Sequence, residues 1–253
     1  MKRSGRGNEA RRVGLARALS KLGWCSRSQA AKLVRAGRVR LNGTARRDPE
    51  TPVRVGRDRV EVDGRIAGAA RKIYFMMNKP RGVITTASDE KARETVYENL
   101  HGDLPWMAPV GRLDKASEGL LLLTNDSEWA GRITTPETHL DKTYHVQVNA
   151  IVRPQDLEHM VDGVRVTGGE TLSAKSVSIL RQGERNTWLV IVLDEGKNRQ
   201  IRRMLQEMGI EILRLVRVSI GPLELGDLAK GSYRALSTGE KHMLDRTMDS
   251  RHN

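Results

Sequence analysis

The stretch 109-PVGRLDKASEGLLLLTND-126 places a charged loop directly before four consecutive leucines. The leucines, residues 120–123, lie between a glycine and three polar residues, and a short apolar run with such boundaries predicts a buried strand. Asp114 then lies in a loop that leads into the core, two residues after Arg112. Most loop aspartates bond their own backbone, so this stretch alone favours a structural turn. A carboxylate at the edge of a core is also a candidate for chemistry, and the rest of the chain decides between the two roles.

The composition limits the classes of protein to which the chain can belong. Its 253 residues, 38% hydrophobic and 30% charged, suffice for one large folded domain or two smaller ones. No apolar run approaches the roughly 20 residues of a membrane span, and the basic N-terminus has no apolar segment behind it, so neither a membrane protein nor a secreted one is expected. The single cysteine, Cys25, excludes a disulfide framework and fits a cytoplasmic protein. The six histidines form no metal-binding spacing, so no metal is expected.

Basic residues are concentrated at the N-terminal end of the chain. Residues 1–64 contain 17 Lys and Arg against 6 Asp and Glu, a net charge of +11, whereas residues 65–253 carry only +2. Such an asymmetry indicates a polyanionic partner that binds one end of the chain. Nucleic acid is the expected partner, because neutralising its phosphates releases counterions and favours binding whatever the base sequence. A solubilising basic tail is the alternative, but the charges continue through a segment with the pattern of a folded module.

Residues 13–64 have the pattern of two short helices followed by a β-hairpin. Apolar residues recur at helical spacing over 15–22, a second helix follows Ser26, and the turn Asn42-Gly43 joins two short strands. The polar face of this module carries five basic residues: Arg27, Lys32, Arg35, Arg38 and Arg40. The segment LARALSKLGWCSRSQAAKLVRAGRVRLNG resembles the α-L RNA-binding module named after a ribosomal protein. The resemblance implies RNA binding through the basic face, by shape and phosphate contacts.

The rest of the chain alternates strand-like runs with two amphipathic segments. Strands are expected at 73–77, 120–123, 143–149, 171–180, 187–193 and 211–220, and helices near 153–162 and 197–208. Strands outnumber helices and are separated by short turns, which is typical of a mainly antiparallel sheet with packed helices, an α+β domain. The expected organisation is a disordered basic tail (1–12), the basic module (13–64), a linker (65–72), the second domain (73–240) and a C-terminal tail (241–253).

Three segments of the second domain carry side chains suited to chemistry. The first is the loop of Asp114. The second, DKTYHVQV, places Lys142 and Tyr144 on one face of a strand, because side chains alternate with a period of two. The third, DEGKNRQIRRML, is a glycine turn that opens into a helix with Arg199 and Arg202. Each segment also has an ordinary explanation, as a strand with solvated tips or a solvated helix face. Together they provide a carboxylate, a tyrosine and several cations, without a phosphate-binding glycine loop.

In this order, the three segments resemble the motifs of the bacterial ribosomal RNA pseudouridine synthases, the RsuA and RluB family. GRLDKASEGLLLLTND matches the family's hallmark segment, KTY its second motif and EGKNRQIRRM its third. The chain departs from the pattern at Ser117 and Glu118, where many relatives have threonine and a smaller residue. The resemblance covers 73–240 and implies the pseudouridine synthase fold. It also implies isomerisation of uridine to pseudouridine in ribosomal RNA, a redox-neutral reaction that needs no cofactor.

The resemblance implies a role for each motif residue. Asp114 would be the nucleophile, and Arg202 would pair with it through a bidentate contact that aims the carboxylate and keeps it ionised. Tyr144 would stack on the flipped uracil and help to take the proton from C5. Arg112 would fill the space that the flipped base leaves in the RNA. Two further residues would contact the RNA: Lys142 and Arg199.

Two other functions compete with this interpretation. A non-catalytic ribosome-assembly protein would need only the basic module and a fold that holds RNA. A nuclease or phosphoryl-transfer enzyme would need clustered carboxylates for a divalent metal, and the second domain has no such cluster in its sequence. The pair Asn198-Arg199 resembles the large-subunit relatives, since small-subunit relatives tend to have an aromatic residue and a histidine there. We therefore expect a monomeric enzyme that acts on large-subunit ribosomal RNA, within an assembling subunit.

Overall fold

The computed structural model describes residues 12–68, 70–86, 93–101 and 104–250. Apart from Arg12, the expected basic tail lies outside these residues. The described chain divides into two compact units. The N-terminal unit contains the residues up to Ile73 with two short segments near 104–108 and 124–127, and the C-terminal unit contains the remainder. None of the described helices is long and apolar enough to cross a membrane.

The described part of the N-terminal unit consists of two helices and six short strands: α1 (Leu15–Lys21), α2 (Arg27–Arg35), β1 (Val13–Gly14), β2 (Val39–Leu41), β3 (Thr44–Arg46), β4 (Pro52–Val53), β5 (Val60–Val62) and β6 (Arg65–Ile66). α2 begins after Ser26, whose side chain accepts from the Gln29 backbone N–H while the Gln29 side chain accepts from the Ser26 N–H. β2 and β3 are joined by Asn42-Gly43, both with positive φ, as a two-residue hairpin turn requires. The helix-helix-hairpin prediction therefore matches this unit.

The predicted linker, 65–72, begins too early. β6 pairs with β5, with Arg65 opposite Val62, and Ala67 is 5% exposed in the core of the N-terminal unit. Residues 65–67 belong to the N-terminal unit through this backbone pairing and through the burial of Ala67. Neither is visible in the small and polar composition of the segment RIAGAARK.

The C-terminal unit is built mainly from strands. The strands that follow β6 in the chain are β7 (Tyr74–Lys79), β8 (Ala108–Val110), β9 (Glu118–Thr124), β10 (Lys142–Val148), β11 (Val164–Arg165), β12 (Thr171–Leu172), β13 (Ser176–Gln182), β14 (Thr187–Leu193), β15 (Ile212–Ile220), β16 (Leu223–Glu224) and β17 (Tyr233–Ala235). Its helices are α3 (Ser127–Thr134), α4 (Pro154–Asp162), α5 (Gln200–Glu207) and α6 (Thr238–Asp249), with single 3-10 turns at Val96–Asn99 and Pro136–Thr138.

One large sheet organises this unit. Within the described residues it has nine strands, in the order β13-β14-β10-β15-β9-β7-β17, with β8 beside β9 and β16 beside β15. The pairs of β14 with β13 and β10, of β10 with β15, and of β7 with β17 are antiparallel, whereas β9 and β15 run parallel. The sheet is therefore mixed and mainly antiparallel, as the sequence predicts.

Helices pack against the sheet through two apolar clusters. On β14 the buried residues alternate along the strand, and they pack in a cluster that includes residues of α4 and α5. The leucines 120–123 of β9 are all fully buried, so this strand is covered on both faces and confirms the prediction from the leucine run. The loop of Asp114 directly precedes it.

Two predicted boundaries in this unit are wrong. The expected strand 171–180 is two strands, β12 and β13, because the chain pairs first with β11 and then with β14. The expected tail 241–253 contains most of α6, whose Leu244 and Met248 are fully buried in an apolar cluster with Trp129. The Trp129 Nε1–H also donates to Asp245 at 3.0 Å. Only residues 251–253 of that expected tail lie outside the described chain.

Candidate active site

A cavity of about 560 Å³ in the C-terminal unit brings together the three motifs. It is lined by Asp114 from the loop before β9, by Lys142 and Tyr144 from β10, and by Arg199 and Arg202 at the start of α5. A cavity of this size is within the range of small-molecule sites in proteins and is large enough for a nucleoside. Five side chains from distant parts of the sequence therefore converge on one space.

The loop that carries Asp114, residues 111–117, is held in place by Lys79. This lysine ends β7 and is fully buried. Its Nζ donates to the carbonyl oxygens of Pro80 and Asp114 at 3.1 Å and of Ser117 at 2.9 Å. The three N–H donors of one ammonium thus bind both ends of the turn from 114 to 117, and they fix the backbone from which the Asp114 carboxylate projects.

Sequence reasoning missed Lys79, because NKPRG has the composition of a turn. Burial lowers the pKa of Lys79 from 10.5 to about 8, against the attraction of the Asp114 and Glu118 carboxylates. The side chain therefore stays mainly protonated at neutral pH and retains its three donors. One signal was present in the sequence: Lys79 follows Met77 by two residues and so shares the buried face of the strand.

Two arginines contact Asp114, and both reach the same oxygen. The Arg199 Nη1 donates to Asp114 Oδ2 at 3.1 Å, and the Arg202 Nε lies 3.6 Å from the same atom. The other carboxylate oxygen, Oδ1, has no hydrogen-bond partner among the described residues. The Asp114 side chain is 37% exposed and lines the cavity, so its carboxylate is accessible to a ligand there.

The expected bidentate pair of Arg202 with Asp114 is wrong for this structure. Arg202 uses its Nη2 to donate to the Ala116 carbonyl at 2.9 Å and to the Ser117 hydroxyl at 3.1 Å. Only Nε then faces Asp114, at a distance beyond a normal hydrogen bond, and this buried atom has no other partner in the described chain. The direct hydrogen bond comes from Arg199, which the sequence assigned to RNA contact.

Burial and then the neighbouring Arg199 lower the pKa of the Arg202 guanidinium, and Asp114 opposes them. Arg199 itself has a left-handed backbone (φ 49°), which is uncommon for a residue other than glycine. The turn before it is anchored by Gln200, whose buried side chain donates to the Ser173 carbonyl and to Glu195. This local geometry directs the Arg199 side chain toward Asp114.

Tyr144 and Lys142 lie on the same face of β10, as the alternation of the strand predicts. Tyr144 is half-buried and faces Ile191 on β14 and Arg217 on β15 across the sheet. Arg217 also lines the cavity and is only 5% exposed. The sequence did not single out Arg217, although it follows the buried Leu215 by two residues on β15.

The predicted RNA-binding residues separate into two groups. Arg112, Lys142 and Arg199 line the cavity, and Arg112 and Arg199 are exposed. The others lie on the N-terminal unit, and all five are exposed: Arg27, Lys32, Arg35, Arg38 and Arg40.

Ion pairs within the N-terminal unit occupy part of this second group. Arg38 donates twice to Asp63, at 2.9 and 2.5 Å, and Arg27 lies 3.3 Å from Glu50. Lys32 and Arg35 on α2 and Arg40 on β2 have no ion-pair partner in the part of the chain that the structure describes. These three cations are therefore more available to an anionic ligand than Arg27 and Arg38.

The chain is similar to known proteins over most of its length. A family model described as RNA pseudouridylate synthase matches residues 73–207, and an S4 domain model matches residues 13–60. An RNA pseudouridine synthase of Rickettsia prowazekii is 37% identical over 231 residues, which cover 88% of this chain and 94% of that protein. The ribosomal large subunit pseudouridine synthase B of Bacillus subtilis is 35% identical over 232 residues, covering 91% and 94%.

A solved structure is similar as well. The crystal structure of a pseudouridylate synthase superposes with a TM-score of 0.64 and 28% identity, over 92% of this chain and 99% of that one. The family model matches more than half of the chain and the relatives most of it, so the chain belongs to the family of RNA pseudouridine synthases, with an S4 domain in its N-terminal unit.

Proposed function

We propose that this enzyme converts uridine to pseudouridine in large-subunit ribosomal RNA, with Asp114 as the nucleophile. The observation that carries the proposal is the asymmetry of the Asp114 carboxylate. Oδ2 is contacted by both arginines, whereas Oδ1 has no hydrogen-bond partner among the described residues, and Asp114 lines a nucleoside-sized cavity. One oxygen is held and the other is available to attack.

The other carboxylates nearby are less suited to this role. Glu195 lines the same cavity, but it is 3.0 Å from the Lys197 ammonium and accepts a hydrogen bond from Gln200. Glu118 is buried and paired with two cations, Arg214 at 3.2 Å and Lys230 at 2.5 Å. Both are committed to structural contacts.

The reaction breaks the bond from C1′ to N1, turns the uracil and forms a bond from C5 to C1′. The proton leaves C5 and a proton is gained at N1, so the product is an isomer of the substrate. In our proposal Asp114 bonds to the target nucleotide while the base is detached, as carboxylate nucleophiles do in glycoside hydrolysis. Tyr144 stacks on the uracil and assists removal of the C5 proton. Arg202 and Arg199 direct the carboxylate.

Two observations support the large ribosomal subunit as the source of the substrate. The Bacillus subtilis relative carries that assignment in its name. The third motif of this chain has the pair Asn198-Arg199, which resembles the large-subunit relatives, and both residues line the cavity. We further propose that the enzyme acts as a monomer in the cytoplasm, where ribosomal subunits assemble.

Asp114→Asn is expected to abolish pseudouridine formation and to leave RNA affinity within a few fold. The amide keeps the shape of the side chain but cannot act as an anionic nucleophile. Release of tritium from ribosomal RNA labelled at C5 of uridine measures the reaction, because the C5 proton is lost. We expect a loss of at least about a hundredfold in kcat, as removal of a nucleophile ordinarily costs orders of magnitude.

Asp227→Asn, in an exposed loop outside the cavity, is the matched control and should leave activity unchanged. Large- and small-subunit transcripts are assayed separately. Tritium release from the small-subunit RNA alone would contradict the subunit assignment, and no release by the wild type from either would contradict the substrate. Activity of Asp114→Asn above a hundredth of the wild type would remove Asp114 from the role of nucleophile.

A further inference from the structure

Arg217 is a buried arginine on the inner face of the large sheet. It lies on β15, where Leu215 and Arg217 are both 5% exposed. Its Nε donates to the Leu120 carbonyl at 2.7 Å, which fixes the side chain against β9. Its Nη2 is buried and has no hydrogen-bond partner in the part of the chain that the structure describes.

An unpaired buried guanidinium nitrogen is unusual, because a buried polar group without a partner loses its hydration and gains nothing in return. An acidic side chain is present on the adjacent strand, but it does not pair with Arg217. Glu118 is opposite Val216 in the pairing of β9 with β15, and it is engaged by Arg214 and Lys230. Arg217 is therefore a charged donor whose capacity is not used within the described chain.

The position of Arg217 indicates which part of a nucleotide it meets. Arg217 lines the cavity that contains Asp114, and it is the cross-strand neighbour of Tyr144. Three other cations that line the cavity, Arg112, Lys197 and Arg199, are exposed to solvent, whereas Arg217 is buried. The base of a flipped nucleotide goes deepest, and its hydrogen-bond acceptors are the two ring carbonyls.

We propose that Arg217 donates a hydrogen bond to a carbonyl oxygen of the target uracil, and so selects and orients the base; this rests on the proposed function. The chemistry of the reaction suits such a donor. A half-turn of uracil about its N3–C6 axis exchanges N1 with C5 and, with them, O2 with O4. Arg217 therefore has a carbonyl acceptor both before and after the base turns, and it holds the detached ring in the plane that the new bond requires.

The test measures binding of uridine 5′-monophosphate and of its 2-thio and 4-thio analogues to the full-length protein. Sulfur is a weaker acceptor than oxygen. The wild type is expected to bind one of the two analogues roughly 10- to 100-fold more weakly than the parent nucleotide, the range for a hydrogen bond to a charged group. Arg217→Met is expected to bind the parent and that analogue equally, and Arg217→Lys, which keeps the charge, to show a reduced preference.

Arg214→Met is the matched control, because Arg214 lies on the same strand but outside the cavity, and Lys230 still pairs with Glu118. It should retain the full preference for oxygen over sulfur. Thermal unfolding of each variant separates loss of the hydrogen bond from loss of the fold. If Arg217→Met does not fold, the binding preference of Arg217→Lys tests the proposal instead. The proposal is overturned if the wild type binds both thio analogues as tightly as the parent nucleotide. It is also overturned if the folded Arg217 variant keeps the wild-type preference for oxygen over sulfur.

Tritium release from ribosomal RNA is measured in parallel and tests the proposed function separately. A wild type that is inactive on ribosomal RNA, but whose preference for oxygen depends on Arg217, would contradict the proposed substrate and support Arg217 as a uracil contact. An active wild type without that preference would support the substrate and contradict the role of Arg217.

Discussion

Arg199 and Arg202 both contact Asp114, but their surroundings differ. The Arg202 side chain is 16% exposed and also holds the Ala116 carbonyl and the Ser117 hydroxyl, whereas Arg199 is 51% exposed and makes one hydrogen bond to the carboxylate. Exposed ion pairs are screened by solvent and contribute little, and a lysine cannot reproduce the planar fork of a buried arginine. Replacing Arg202 should therefore disturb the Asp114 carboxylate and its loop more than replacing Arg199.

We predict that Arg202→Lys lowers kcat by about tenfold or more, and that Arg199→Lys lowers it by less than about threefold. The lysine at 202 loses the hydrogen bonds to the loop as well as the approach to Asp114. Tritium release at saturating RNA measures kcat, and a filter-binding assay checks that RNA affinity is retained. An equal effect of the two substitutions would mean that the hydrogen bonds of Arg202 to Ala116 and Ser117 do not matter for catalysis.

Lys79 gives a pH dependence whose sign follows from its pKa. The folded-state pKa is about 8, below the ordinary value of 10.5, so between these values the unfolded chain binds more protons than the folded one. The contribution of Lys79 to the free energy of unfolding should therefore increase with pH from about 8 to 10.5, by at most about 1.4 kcal/mol per pH unit.

Denaturant unfolding of the wild type and of Lys79→Met, at about pH 7, 8, 9 and 10, measures this effect as a difference between the two proteins. The other titrating groups are common to both and cancel to first order. Well below the folded-state pKa the difference should not change with pH. A difference that stays constant throughout the range would show that Lys79 keeps its ordinary pKa.

At the scale of elements, the parallel pairing of β9 with β15 depends on one glycine. Gly119 lies opposite Arg217 and has φ +102°, and a Cβ there would be 2.2 Å from the Arg217 carbonyl oxygen and 2.8 Å from its backbone nitrogen. Both atoms belong to the backbone, which cannot move aside without separating the strands. The pairing is also what brings the loop of Asp114, just before β9, to the same end of the sheet as Arg217.

Gly119→Ala is therefore expected to lower the free energy of unfolding by at least about 3 kcal/mol, from steric overlap and backbone strain together. Gly131→Ala is the control. Gly131 lies in α3, and outside its own helix backbone no atom of the described residues is within 4 Å of the added carbon, so the substitution should be neutral or stabilise the protein by about 0.5–1 kcal/mol. Urea unfolding of both variants measures the two effects, and similar values for the two would contradict the role of the close approach.

At the scale of the whole molecule, the charge is divided unequally along the chain. Of the net +13, +11 is carried by residues 1–64. The ion pair of Arg38 with Asp63 removes one cation from this surface, whereas Lys32 and Arg35 have no such partner among the described residues. Salt-sensitive affinity for RNA should therefore come mainly from the N-terminal unit, and from its unpaired cations first.

We predict that changing both Lys32 and Arg35 to Ala reduces the slope of log affinity against log salt by about 0.7–0.9 for each phosphate that is no longer neutralised. The apparent KM for ribosomal RNA should rise while kcat changes little, since a decrease in uniform binding appears in KM. Arg38→Ala is the comparison and should change the slope less. A slope unchanged by the double substitution would assign RNA affinity to other residues.

Much of the fold was predictable because it depends on local patterns. The leucines of β9, the capping box of α2 and the alternation of β10 are properties of short segments, and the structure has each of them. α6 was missed because its TGEKHMLDRTMD segment is mostly polar and exposes most of its surface. Its two buried residues are stabilised by contact with residues more than a hundred positions earlier, which no local pattern reveals.

The sequence by itself determined the main strands of the large sheet, helices α4 and α5 and the charged N-terminal module, because the spacing of apolar and charged residues decides which side chains share a face. It also carried the motifs whose resemblance to a known family singled out Asp114, Tyr144 and Arg202. Only the tertiary structure decided the partners of those side chains. Arg199 rather than Arg202 donates to Asp114, Lys79 binds the loop from 38 positions away, and Arg217 has an unpaired donor beside the cavity, within the described chain. Hydrogen bonds form where packing brings groups within about 3 Å. That distance depends on how strands remote in sequence pair.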